Sequence, residues 1–327
     1  MIRRREFIAG LGSAAAWPMV TRAQQTDHIQ RIGVMMSVAN NALGQARFKA
    51  FQQGLEKLGW TDGRNLALEV RWSEGRAERY AEITAEFVRL KVDVIVTTAT
   101  LPTILAKEAT QVIPIVFIGA ADPVATGLVG SLAHPVGNVT GLSNQSRDIA
   151  SKRVEMLRQL VPGLRRVAIL GNTDNAANVL EMREVQAAAD TLGLDVVRLE
   201  IRRAEEIASA LENLTGPAVA LYVVIDAVTN ANALRINTFA LAARLPTMHG
   251  TRESVEAGGL LSYGADFLEV YRHSASLVDK ILRGTKPGDI PVEQPTRFNL
   301  VINLTTAKAL GLTIPETLLA TADEVIQ

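Results

Sequence analysis

From Arg31 onward the apolar residues fall into short continuous runs, separated by longer stretches in which they recur at helical spacing. Ile32–Met36 reads as a buried strand, and the helix after it carries Phe48, Phe51, Leu55 and Leu58 on one side before Gly59 stops it. Leu66–Trp72 alternates apolar and polar residues, as a strand with one wetter face near a sheet edge does. A helix through Ile83, Phe87 and Leu90, a buried strand at Val92–Val96, a helix with Pro102 in its first turn, and strands at Ile113–Ile118 and Asn138–Leu142 complete a first round within Arg31–Leu142. A second round within Arg165–Ser262 repeats the alternation without detectable sequence repetition. The helix Arg147–Leu160 leads into it. Its strands are predicted at Val167–Leu170, Leu194–Leu199, Ala218–Ile225, Thr247–Met248 and Leu260–Ser262, its helices at Asn175–Leu192, Ala204–Leu214 and Asn230–Ala243. Strand–helix alternation at this spacing gives parallel sheets with right-handed crossovers.

The alternation then breaks. Phe267–Leu282 is an amphipathic helix with no strand of its own, followed by a Pro/Gly-rich connection and a short strand-plus-helix tail. Such a helix must pack on a sheet already formed, so the chain is expected to return to the first lobe and then recross. With the passage near Ser143–Arg147 this makes three crossings, a hinge that bends but resists twisting. The predicted division is residues 30–142 plus 264–286 for lobe one, and 143–263 plus 287–327 for lobe two.

The first 23 residues are excluded from this fold. Arg4-Arg5-Glu6-Phe7-Ile8 is a twin-arginine pattern, and the apolar stretch Phe7–Val20 would span about 21 Å as a helix, short of a ~30 Å bilayer core. A basic start, a short apolar middle and small residues near Ala23 predict a cleaved export signal, by the Tat or the Sec route, and a periplasmic product. The sequence has no cysteine, which excludes a lipoprotein anchor, disulfides and Cys-based zinc sites. Its four His are too scattered for a His cluster. The whole chain is neutral, and residues 1–23 hold four Arg and one Glu, so the rest carries a net −3 and no footprint for nucleic acid.

The segment Ala121-Asp122-Pro123-Val124-Ala125-Thr126-Gly127-Leu128-Val129-Gly130-Ser131-Leu132, continuing through Pro135 and Gly137-Asn138-Val139-Thr140-Gly141, resembles ABC transporter substrate-binding proteins. The family in question includes tryptophan- and tyrosine-binding components of bacterial importers. Leu90–Thr97, Ile113–Phe117 and the tail Asn303–Pro315 are similar to it as well, so the resemblance runs over nearly the whole chain after the leader. His134 and Val136 depart from it, where Arg and Gly are usual. The resemblance implies a type I periplasmic binding protein, two Rossmann-like lobes joined by a three-crossover hinge, working as a monomer with ABC permease subunits.

Ligands of open α/β sheets sit beyond the carboxyl ends of the strands, which makes the polar clusters there the candidate site. Ser37 and Asn40 follow the first strand. Thr98 and Thr100 follow the third, where hydroxyls and the next helix's N–H groups can receive a carboxylate, although Thr100 also stands where that helix needs a cap. Asp122 suits ligand contact, a helix cap or an Asp-Pro turn. Ser143 and Asn144 lie at the first crossing. Asn172, Thr173 and Asp174 end the first strand of the second round, Asp174 being also placed to cap the following helix. Asp226 ends its run with no helix start close by, so its carboxylate is read as a partner for a ligand amine. Tyr263, at the second crossing, offers a ring or hydroxyl to a ligand, or packs the hinge. His249 is read as structural before ligand-binding, Trp60 and Trp72 as packing.

No P-loop, G-x-G-x-x-G, G-x-S-x-G or H-E-x-x-H motif is present. The expected function is therefore a solute receptor, not an enzyme, that needs no cofactor or metal and closes on an amino acid or similar small carboxylate, an aromatic one included. A periplasmic sensor serving a receptor kinase and an exported α/β enzyme are the alternatives.

Overall fold

The apolar runs of the first round assemble into one sheet and those of the second into another. The computed structural model describes residues 29–212, 214 and 219–327, so the expected leader at 1–23 lies outside the described residues. The first round supplies β1 (Gln30–Met36), α1 (Ala42–Lys57), β2 (Leu66–Trp72), α2 (Ala77–Leu90), β3 (Val94–Thr98), α3 (Thr100–Ala109), β4 (Ile115–Ala120) and β5 (Val139–Ser143). These strands form an all-parallel sheet in the order β2-β1-β3-β4-β5, with the half-wet β2 at its edge as its alternation predicts.

The second round supplies α4 (Ala150–Leu160), β6 (Arg166–Asn172), α5 (Ala176–Thr191), β7 (Asp195–Ile201), α6 (Glu206–Glu212), β8 (Val219–Val223), α7 (Ala227–Ala231), α8 (Ala233–Ala242), β9 (Thr247–His249), α9 (Arg252–Glu256) and β10 (Leu261–Ala265). After α10 (Phe267–Leu282) come β11 (Phe298–Asn303), α11 (Leu304–Leu310), α12 (Glu316–Thr321) and β12 (Glu324–Ile326). The second sheet has the order β12-β11-β10-β9-β8-β6-β7, parallel except where β11 runs against β10. That reversal follows from the excursion through α10, which brings the chain back into the sheet from the other end.

The strandless helix does return to the first lobe. α10 begins behind an Asp266 cap, buries Phe267, Val270, Leu277 and Ile281, and packs along α1. The two helices approach closely because position 54 has no side chain: a Cβ on Gly54 would meet Arg272 O at 2.3 Å and Ala275 Cβ at 2.7 Å. The third crossing comes later than residue 287. Ile290 and Val292 remain in first-lobe core, Thr140 Oγ1 donates to Ile290 O, and Ser143 N donates to Glu293 O, so the chain leaves β5 only after Glu293.

Two helices differ from expectation. The predicted helix Asn230–Ala243 is two, α7 and α8, broken at Asn232, and α7 starts immediately after Asp226. The five-residue α9 is too short to show a period in sequence.

Val136 holds a left-handed backbone (φ 61°) and is 74% exposed. That conformation costs a side chain about 1–2 kcal/mol, more for a β-branched one. Val136→Gly is therefore expected to stabilise the protein by about 1 kcal/mol after the extra entropy of an unfolded glycine is counted. Urea unfolding reads this as a higher midpoint at unchanged slope; an unmoved midpoint would mean that the loop holds this backbone without strain.

Candidate functional site

Both sheets reverse strand order at one place, between β1 and β3 in the first and between β6 and β8 in the second. Connections leave in opposite directions there and open a crevice at the strand ends. The two crevices face each other.

On the first-lobe wall, Ser37 N donates to Thr98 Oγ1 (2.7 Å) and Thr98 Oγ1 to Ser37 Oγ (2.8 Å), tying the ends of β1 and β3 together. Thr100 does not cap α3; its Oγ1 accepts from Ala121 N (3.0 Å). The N-cap is Ala99, a non-glycine residue at φ 74° and ψ 175°, and no side chain caps the helix. A backbone held this way costs of order 1–3 kcal/mol, and it leaves the positive end of α3 open at the cavity wall.

On the second-lobe wall, Asp226 is 7% exposed. Its Oδ1 accepts from Asn172 Nδ2 (3.1 Å) and Val228 N (2.9 Å), and its Oδ2 from Asn175 Nδ2 (2.9 Å). With Thr229 it forms a capping box for α7, which corrects the expectation that no helix starts nearby. Among the described residues no Lys or Arg pairs with this carboxylate. Among the described residues this buried carboxylate is held by neutral donors alone.

The walls enclose a cavity of about 40 Å³, which Ser37, Thr98, Thr100, Asn144 and Asp226 help to line. An adjoining recess of about 420 Å³ shares Ala99, Asn175, Asp226 and Ala227 with it and carries Tyr80, Asn172 and Asp174. Small-molecule sites commonly measure ~300–1,000 Å³, so the inner cavity is nearly closed and the recess supplies the room. Asp174 is exposed and pairs with Arg202, and Asn144 spends its amide on Gly119 O and Ser146 N at the first crossing.

The remaining candidates lie elsewhere. Asn40 is exposed and accepts from Gln45 Nε2. Asp122 pairs with Arg147 and accepts from Ala125 N, in a separate recess of about 190 Å³ with Ser143, whose hydroxyl accepts from Gln145 N. Tyr263 packs against Phe298 on the neighbouring strand (ring centroids 5.9 Å apart), so the hinge-packing role holds. His249 is buried against Asn237 Oδ1 (2.8 Å), and burial with the nearby Arg153 charge pushes its pKa down to about 3, so it is a neutral core residue.

Four lining residues gave no strand-end signal: Arg47, Asn178, Phe267 and Tyr271. Arg47 projects from α1 with its guanidinium 4.6 Å from the Phe267 ring centroid, and its Nη2 donates to Glu253 Oε1 of α9 at 2.9 Å. This ion pair joins the lobes. Arg47 was detectable as a charge on the buried stripe that continues through Phe51 and Leu55, and Asn178 as an amide on the stripe of Met182, Val185 and Ala189.

Two Rossmann-like lobes, three crossings and a polar crevice between facing switch points define a ligand-clamping protein of the type I periplasmic binding fold. The chain belongs to the ABC transporter substrate-binding protein family, whose model matches residues 31–326. It is similar to a tyrosine-binding protein of Clostridioides difficile, 28% identical over 283 residues that cover 86% of this chain and 81% of that one. The ABC domain from Streptococcus pneumonia in complex with L-Trp superposes with a TM-score of 0.83 at 28% identity, covering 90% of this chain and all (100%) of that one. A ligand-free, open substrate-binding protein with adhesive properties from Clostridium difficile gives 0.65 at 26% identity, covering 91% and 100%. At nearly equal identity the ligand-bound relative fits better, in keeping with lobes that stand closed here.

Proposed function

We propose that this protein is the extracytoplasmic receptor of an ABC importer, a periplasmic monomer that clamps a single amino acid, aromatic in side chain, and presents it to permease subunits. The observation that carries the reading is Asp226, a buried carboxylate without a cation, set across the cavity from the uncapped end of α3. A zwitterion answers both: its ammonium replaces the missing cation and its carboxylate meets the helix end and the Thr98–Thr100 turn. Phe267 and Tyr271 line the inner cavity and Tyr80 the adjoining recess, so aromatic faces border both parts of the crevice. The tyrosine-binding and L-Trp-bound relatives point to the same ligand class.

A ligand that binds the folded state raises its apparent stability, so a thermal-shift panel of the twenty amino acids tests the reading. L-Tyrosine or L-tryptophan should raise the melting temperature, the N-acetyl derivatives should not, and Asp226→Asn should weaken binding by about 10- to 100-fold through loss of a charge-assisted contact. No shift with any amino acid at millimolar concentration would sink the proposal.

A further inference from the structure

Asn178 stands in the first turn of α5, on the second-lobe wall of the cavity, and is 1% exposed. Its Nδ2 has no hydrogen-bond partner among the described residues. Buried side-chain amides are nearly always paired, because a donor removed from water and left unsatisfied destabilises the fold. The surrounding amides do not explain it: Asn172 and Asn175 both spend their Nδ2 groups on Asp226, and Asn175 Oδ1 caps α5 by accepting from Ala177 N. The second-lobe wall therefore presents the Asp226 carboxylate and a buried donor, Asn178 Nδ2, that is unspent among the described residues, beside the positive end of a sixteen-residue helix.

Resting on the amino-acid reading above, we infer that Asn178 Nδ2 donates to the ligand carboxylate, so that this carboxylate is gripped from lobe two as well as from the α3 end in lobe one. A donor sitting in the positive potential of a helix N-terminus selects an anionic acceptor over a neutral one. One charged group of the ligand then bridges both lobes, and the site discriminates free amino acids from their carboxamides and esters. Asn178 is a specificity-determining residue, and closure is favoured by the carboxylate itself.

Calorimetric titration of the full-length protein with L-tryptophan, L-tyrosine and their primary carboxamides tests this. The wild type should prefer each acid to its amide. Asn178→Ala should weaken the acids by about 10- to 100-fold, the worth of a hydrogen bond to a charged group, and the amides by less than about threefold. Asn178→Asp keeps the shape and reverses the chemistry: it should abolish detectable acid binding by like-charge repulsion yet retain the amide, whose NH2 it can accept. Retained amide binding also shows that the variant is folded, and Asn178→Ser, which keeps a hydroxyl donor, should fall between wild type and Ala. Acid affinities unchanged in Ala and Asp variants, or acids and amides weakened alike, would overturn the role of Asn178 while leaving the amino-acid reading standing. Failure of the wild type to bind any of the four probes would overturn both.

Discussion

Replacing Glu181 by Ala is expected to destabilise the protein by about 3–5 kcal/mol, the cost of leaving one member of a buried ion pair uncompensated. Arg153 on α4 is 1% exposed and Glu181 on α5 is 2% exposed, with Nη1 and Oε1 2.9 Å apart. Tyr222 Oη accepts from Arg153 Nη1 (2.9 Å) and donates to Glu181 Oε1 (2.8 Å); burial pushes its phenol well above the usual range, so it remains a donor. The same guanidinium reaches the hinge, donating from Nε to Tyr263 O (2.6 Å) and from Nη1 to Ser146 Oγ (3.0 Å). Among the described residues its Nη2 lacks a partner and Glu181 is its one carboxylate, so removing Glu181 leaves the buried charge to neutral acceptors. Urea unfolding followed by far-UV circular dichroism measures the loss. A change under about 1 kcal/mol would show that water or a rearranged neighbour solvates Arg153 in the folded state.

Glu253→Gln is expected to act on closure instead of on folding. Burial opposes the charge on both Arg47 and Glu253, yet their mutual attraction and hydrogen bonds leave the Arg47 pKa above its ordinary value and the Glu253 pKa below. The contact spans 206 residues of sequence and joins α1 of one lobe to α9 of the other, so only an arrangement with the lobes together can make it. When the lobes part, water can reach the guanidinium. Neutralising Glu253 therefore raises the free energy of the closed form alone, by about 2–5 kcal/mol on the scale of interfacial charge pairs. Ligand affinity should fall by about 30-fold to several-thousand-fold, mostly through faster release, and small-angle scattering should report a larger radius of gyration in the presence of ligand at wild-type saturation. Unchanged affinity with unchanged scattering would show that the ion pair follows closure without favouring it.

How far the sequence could be read depended on the length of each signal. α10 was legible residue for residue, because sixteen positions with a strong apolar face and an Asp cap leave no competing assignment. α7 was missed because five residues cannot show a period, and the capping box of Asp226 and Thr229 that starts it is a pair of polar contacts, not an apolar pattern. Asp226 was thus placed at its strand end as a ligand partner, while its capping of α7 went unseen. For Tyr263 the sequence left ligand contact and hinge packing open: β11 runs antiparallel beside β10, and the Phe298 ring it packs against belongs to that later strand.

Local periodicity and the burial of apolar runs were enough to place the two rounds of strands and helices, the return of α10 and the polar ends of β1, β3, β6 and β8. It took the packed lobes to show which of those ends share a cavity, that Asp122, Ser143 and Asn40 stand apart from it, that Arg47 and Asn178 line it, and that Glu253 holds Arg47 from the other lobe. These are contacts between lobes or across a switch point. They depend on how rigid sheets are set against each other, and no local pattern along the chain records that distance.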